Sequence, residues 1–334
     1  MNSIEIKELG NAEIELTGEI PVADFAAQRA DAINRLNREV TLDGFRQGHA
    51  PEAVLVAKLG EERVLLEMAE LALTQAYPKI VSEKSLEVIG RPEITITKLA
   101  KDNPLGFKIK TAVYPRFSLP PYRAIAAEIN GQPSETASAS DEEVANVLEE
   151  IRRSRANPET KTLPELTDEL AQSLGEFKTL DELKTKIKEN LKLEKEHKAK
   201  DKKRLTIMDG LIAKTDIPLP PILVASELDR MVAELKQDIE RLGLKFDDYL
   251  AHLKKTESEL RAAWQSDAEK RVKTSLLLSR LAEAESIKPD EAAIEAEIKH
   301  LQSHYKEAPP ERVRSYVLSA LTNEAVWQFL ENQK

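Results

Sequence analysis

The residues best suited to chemistry lie in one run, Gly44-Phe45-Arg46-Gln47-Gly48-His49-Ala50-Pro51. An aromatic ring and a guanidinium stand between two glycines, just ahead of a proline. Glycine tolerates backbone angles that a side chain forbids, so Gly44 and Gly48 predict a tight, projecting loop. Pro51 suits a first helical turn, where its missing N–H is not needed. The chemistry on offer is non-covalent. An aromatic beside an arginine is a common binding anchor, with the ring filling an apolar notch and the guanidinium pairing with a carboxylate or phosphate. The competing reading tucks Phe45 beneath its own loop and leaves Arg46 as a solvated charge.

Other chemistry is thin. His300 and His304 are four residues apart with Glu297 one turn earlier, a spacing that can bind zinc, but no further strong ligand follows nearby. They read as solvated histidines, and no metal is expected. The chain has no cysteine, which excludes disulfides and thiolate nucleophiles. No serine lies in a recognisable catalytic context, and no glycine-rich phosphate loop or nucleophile elbow occurs. At 59 Asp and Glu residues, carboxylate pairs carry little information. Nothing here proposes an enzyme or a cofactor.

Ahead of the loop, Ile4, Ile6, Ile14 and Leu16 alternate with polar residues about Gly10-Asn11, a hairpin pattern. Pro21 introduces an amphipathic helix with Val22, Ala26, Ala30, Ile33, Leu36 and Val40 on one face and Phe25 at its edge. After the loop, Pro51 to about Val81 reads as further helix, broken near Gly60, with Val54, Leu55, Leu59, Val64, Met68 and Leu71 inward. Ile94 and Ile96 mark a third strand. Leu105, Phe107, Ile109, Thr111 and Val113 mark a fourth, with Lys108 and Lys110 on its other face. Two strands, helices and two strands make an α+β docking domain over residues 1–115.

Residues 116–162 read as an extended, proline-punctuated linker, flexible over Gln132 to Ser140, with one short helix from Asp141 to Arg155. Asn157-Pro158 ends that helix. Residues 163–334 read as all-helical. Thr179 and Glu182 form a capping box that opens a long helix whose middle, Glu194 to Arg204, is dominated by lysine. A basic helix could touch RNA, but such a run usually forms a solvated face, and an all-polar middle also suits a helix bridging two packed regions. Helices follow over Ile222 to Leu242, Phe246 to Leu253, Ser258 to Ala284, Asp290 to Tyr305 and Pro310 to Leu330, with breaks at Pro289 and Pro309-Pro310.

With 334 residues the chain has room for two or three domains. Its charge of −10 argues against nucleic-acid binding over the whole surface, so any such contact is local. Aromatics are 4% and charged residues 32%, a mixture that favours long, partly exposed helices. No run reaches membrane-spanning length and the N-terminus lacks the pattern of a signal peptide, so the expected location is cytoplasmic, with no membrane partner.

The run Gly-Phe-Arg-x-Gly-x-x-Pro between two helices, in an acidic, cysteine-free chain, resembles the ribosome-docking signature of the trigger factor family. The resemblance extends to about Glu128 and from about Leu163 to the end. It implies an ATP-independent chaperone that docks at the ribosomal exit tunnel, against a tunnel-exit protein and nearby ribosomal RNA, and shields nascent or unfolded polypeptides. The docking residues it implies are Gly44, Phe45, Arg46, Gln47, Gly48 and Pro51. Family members commonly carry basic residues where this chain has Gln47 and His49. They also carry an FKBP-like prolyl-isomerase domain where this chain has only its linker, so no isomerase activity is expected. The C-terminal helices are expected to form a client-holding body and arms. Its candidate client contacts are Met231, Leu235, Phe246, Tyr249, Tyr305, Tyr316, Trp327 and Phe329, with burial between helices as the competing reading for each. A weak homodimer is left open. The rival function is a holdase or assembly chaperone that no longer docks on ribosomes.

Overall fold

The structure, a computed structural model, describes residues 4–42, 44–133, 138–156, 163–305 and 307–334. The chain forms two compact units, residues 1–118 with 216–276 and residues 119–215 with 277–334.

The first unit holds a four-stranded antiparallel sheet in the order β1 (Glu5–Gly10), β2 (Glu13–Ile20), β4 (Leu105–Val113), β3 (Val88–Lys98). The alternation read from the sequence sets its two faces. Ile14, Leu16, Ile20, Leu105, Phe107 and Ile109 are buried. On the opposite face Glu13 pairs with Lys110 at 3.0 Å and Glu15 with Lys108 at 3.1 Å. The β3 register shifts between Ile89 and Glu93, a bulge that contains Gly90 at φ +73° and Pro92. A Cβ on Gly90 would lie 2.1 Å from Cδ1 of Ile222, so another residue here would have to displace that side chain and hold a left-handed backbone.

The buried face of the sheet is covered by α1 (Val22–Ala26), α2 (Arg29–Glu39), α3 (Glu52–Leu59) and α4 (Glu61–Glu83). The single helix expected after Pro21 is thus two, and the inward face is rotated. Ala26 and Ala30 are exposed, whereas Phe25, Ala32, Ile33, Leu36 and Asn37 are buried. The chain breaks at Ala27-Gln28, so one helical periodicity cannot run through both pieces. Val54, expected inward, is exposed, and Leu55 carries the burial on α3. This unit also contains α9 (Pro221–Arg241) and α10 (Phe246–Leu253), while α11 (Glu257–Ala284) contributes residues to both units. Val224, Leu228, Met231 and Ala268 form a small apolar cluster with Leu219 and Trp264.

The second unit contains α5 (Tyr122–Asn130), α6 (Asp141–Ser154), α7 (Asp168–Leu174), α8 (Leu180–Ala213), α12 (Glu291–His304) and α13 (Pro310–Glu331). The stretch expected to be extended therefore holds a helix, α5. Gly210 lets α5 approach α8, since a Cβ there would lie 3.1 Å from Ile125. Asn130 donates hydrogen bonds to the carbonyls of Leu330 and Gln333, closing the end of α13. Parts of the expected flexible segment and of the break at Asn157-Pro158 lie outside the described residues. The box at Thr179 is half formed: Thr179 accepts from the Glu182 N–H at 3.3 Å, but the Glu182 carboxylate accepts from Lys178 instead. Ser140 and Glu143 make the reciprocal pair on α6. Among the described residues, 114–334 contain no strand.

Candidate docking loop

The loop leaves the C-terminal end of α2, where the last carbonyls of a helix lack intrahelical partners. Those carbonyls are capped by the loop itself. The Val40 N–H donates to Leu36 at 3.0 Å, the Gly48 N–H to Asn37 at 2.9 Å, and the Gln47 side-chain amide to Arg38 at 2.7 Å. Within the loop the Phe45 N–H donates to Leu42 and the His49 N–H to Arg46, two tight turns. Gly44 at φ +86° and Gly48 at φ +85° supply the left-handed residues that these turns require. No neighbouring atom would meet a Cβ at either glycine, so conformation rather than space demands glycine there.

Asn37 closes the base. It is 7% exposed, and its side chain spans the loop to Ala50, donating to the carbonyl at 2.7 Å and accepting from the N–H at 3.1 Å. A buried side-chain amide that satisfies both groups of one residue fixes the entry and exit strands together. The helix beneath is tied down as well. Arg29 pairs with Glu52 at 2.8 Å and Glu61 at 2.6 Å, and these partners hold its guanidinium strongly charged. Arg35 bridges to Glu67 at 3.0 Å and Glu70 at 3.2 Å on α4. Above this base, Phe45 is 38% exposed and Arg46 is exposed with no ion pair among the described residues. Phe45 thus keeps more than a third of its surface open while the rest is covered, and Arg46 is a solvated charge. Pro51 is the N-cap of α3, with Glu52 in the first turn.

Sequence reasoning placed Phe45 and Arg46 at the tip but missed Asn37. The signal was present: Asn37 falls on the Ile33–Leu36 stripe of α2, and a polar residue on an apolar stripe needs a partner. Gln47, grouped with the outward residues, turns its amide inward.

The client candidates separate by exposure. Tyr305 is 64% and Tyr316 66% exposed, and Leu242, Leu244 and Leu318 are also exposed. Met231, at 8%, is packed in the α9 cluster. Leu235, Phe246, Tyr249, Trp327 and Phe329 are half-buried, with Lys236 over the Phe246 ring, Arg204 over Trp327 and Arg123 over Phe329. The lysine-rich middle of α8 is largely paired: Lys195 with Glu143, Lys198 with Glu194, and Lys200 with Glu324 and Glu331. His300 lies 3.6 Å from Glu297 and edge-on to His304, and no group of ligands among the described residues could hold a metal ion. No described helix is long and apolar enough to cross a membrane.

The family model for bacterial trigger factor protein matches residues 2–151, and that for its C-terminus matches residues 179–334. The chain belongs to the trigger factor family. Trigger factor of Caldicellulosiruptor bescii is 24% identical over 90% of this chain and 88% of its own length, and that of Bacillus subtilis is 24% identical over 93% of each. A solved structure from work on promiscuous substrate recognition in the folding and assembly activities of the trigger factor chaperone covers 99% of this chain. All of that solved chain is covered, at 19% identity and a TM-score of 0.54, a likeness of fold. The chain thus has the α+β-then-helical architecture of trigger factor and a chaperone role. Neither matching model is an isomerase domain.

Proposed function

We propose that this member of the family is an ATP-independent chaperone that docks at the ribosomal exit tunnel and shields emerging polypeptides. The observation that carries the reading is Phe45 and Arg46 held outward on a loop whose base is closed by Asn37. Phe45 would enter an apolar notch while Arg46 pairs with an acidic side chain or a phosphate. Such a contact is modest in strength and weakens as salt rises. The client surface would be built from exposed apolar residues such as Tyr305 and Tyr316, each contributing a weak contact. The reading includes independence of ATP and no isomerase activity, in keeping with a sequence that carries no recognisable phosphate-binding loop and with matching family models neither of which is an isomerase domain. A chaperone working at the ribosome would be cytoplasmic.

The test is co-sedimentation with ribosomes of the wild type beside a Phe45→Ala/Arg46→Ala chain, at low and moderate salt. The wild type should pellet and the variant should not, with at least a tenfold loss of affinity. Equal behaviour would sink the docking reading. The ribosome-free holdase would then lead, a reading in keeping with Gln47, whose amide is engaged within the protein.

A further inference from the structure

We propose that Asn37 and Gln47 are positioning residues for docking: they clamp the loop onto the end of α2 so that Phe45 and Arg46 meet a partner in one geometry. The inference rests on the docking reading above. Asn37 is buried and holds both backbone groups of Ala50, at 2.7 and 3.1 Å. Gln47 holds the Arg38 carbonyl at 2.7 Å, one residue along α2, and the Gly48 N–H holds the carbonyl of Asn37 itself at 2.9 Å. Together these bonds bracket the loop on both sides of its tip. The tip residues contribute none of them through their side chains.

The arrangement changes what position 47 is for. A long polar side chain one residue from an exposed arginine reads as a second contact for the partner. Here its donor is spent on a helix carbonyl that would otherwise face solvent at the C-terminal end of α2. The loop's outward charge then rests on Arg46. A binding loop with little charge must hold its anchors in place beforehand, because ordering them at the moment of contact costs affinity. Asn37 and Gln47 provide that order.

The experiment measures ribosome affinity, global unfolding and amide hydrogen exchange for the wild type, Asn37→Ala and Gln47→Ala. Gln47 is exposed, so Gln47→Ala keeps the fold and serves if Asn37→Ala loosens it. Each variant should bind about fivefold to tenfold more weakly. The slope of affinity against salt should stay at the wild-type value, since no charge is removed. The Gly48 amide should exchange faster in both, and the unfolding midpoint of Gln47→Ala should not move. A merely structural role would shift the midpoint and leave affinity alone. Wild-type affinity in both variants overturns the inference while docking stands. Weakening in Gln47→Ala without weakening in Asn37→Ala, a residue too buried to touch a partner, also overturns it and makes Gln47 a direct contact. A wild type that does not bind ribosomes removes the docking reading and this inference with it.

Discussion

Around the sheet, Leu16, Leu36, Leu55, Ile80, Leu105, Phe107 and Ile109 share one apolar interior that strands and helices enter from both sides. Beyond residue 122 the described residues include smaller apolar clusters beside fully buried side chains such as Ile207, Met208, Leu211, Leu277 and Leu281. One joins α6, α7 and the start of α8 through Val144, Leu148, Ala171, Leu183 and Ile187, and another joins α12 to α13 through Ile294, Val313 and Val317. Farther along α8, charged contacts join α8 to α13. Arg204 pairs with Glu324 at 2.8 Å and Glu331 at 2.6 Å and lies over Trp327. On the proposed function the difference suits each region. A loop that is to present two anchors gains from a base resting on a shared core, and helices that are to meet varied clients gain from contacts that open locally, at lower free energy.

The comparison breaks most readily at Phe107. Replacing it with alanine should cost about 3–5 kcal/mol, and amide exchange should rise across β2, β4 and α4 together. Exchange confined to the neighbours of Phe107 would mean the core is not one cooperative body. On the helical side, Arg204→Ala should cost roughly 1–2 kcal/mol, since its partners are only partly shielded from water. The effect should appear in Trp327 fluorescence in a Trp264→Phe background and leave exchange in the sheet unchanged. A smaller loss, about 1 kcal/mol or less, is expected for Thr179→Ala, read as faster exchange in the first turn of α8 alone.

The smallest effect is in acid. Arg204 holds the Glu324 carboxyl below its ordinary value of 4.5. A carboxyl with a depressed folded-state pKa stabilises fully above that ordinary value, and the contribution fades as pH falls below it. The Trp327 signal should therefore shift below about pH 4.5 in the wild type, and Arg204→Ala should flatten the shift. An unchanged acid response in the variant would detach this stability from Arg204.

Much of this architecture was legible from residue pattern because burial on one face forces alternation. Ile14-Leu16 and Leu105-Phe107-Ile109 announce their strands, and α4 follows from Val64, Met68 and their neighbours. Where the chain turns between short helices, pattern misleads. Ala26 and Ala30 fit a stripe that the break at Ala27-Gln28 dissolves, and α5 hid behind Pro120-Pro121 because prolines read as an extended linker although one of them caps the helix. At the loop, the tip was legible and its support was not. Phe45 and Arg46 declare themselves by type and flanking glycines, whereas Asn37 acts through a residue thirteen positions away. Among the helical candidates, type alone could not separate Met231, packed inside, from Tyr316, left outside.

The bulge in β3 carries a consequence for the company this protein keeps. An open strand edge offers a row of unpaired amides on which another extended chain can polymerise. Chaperone clients are such chains, rich in exposed β-forming segments. Along β3, Gly90 and Pro92 interrupt the row, Pro92 has no N–H to offer, and the Ile222 side chain lies against Gly90. The other rim, β1, presents Glu5, Lys7 and Glu8 among its exposed residues. Charge on one border and a broken row of amides on the other disfavour pairing with the extended chains that a chaperone meets.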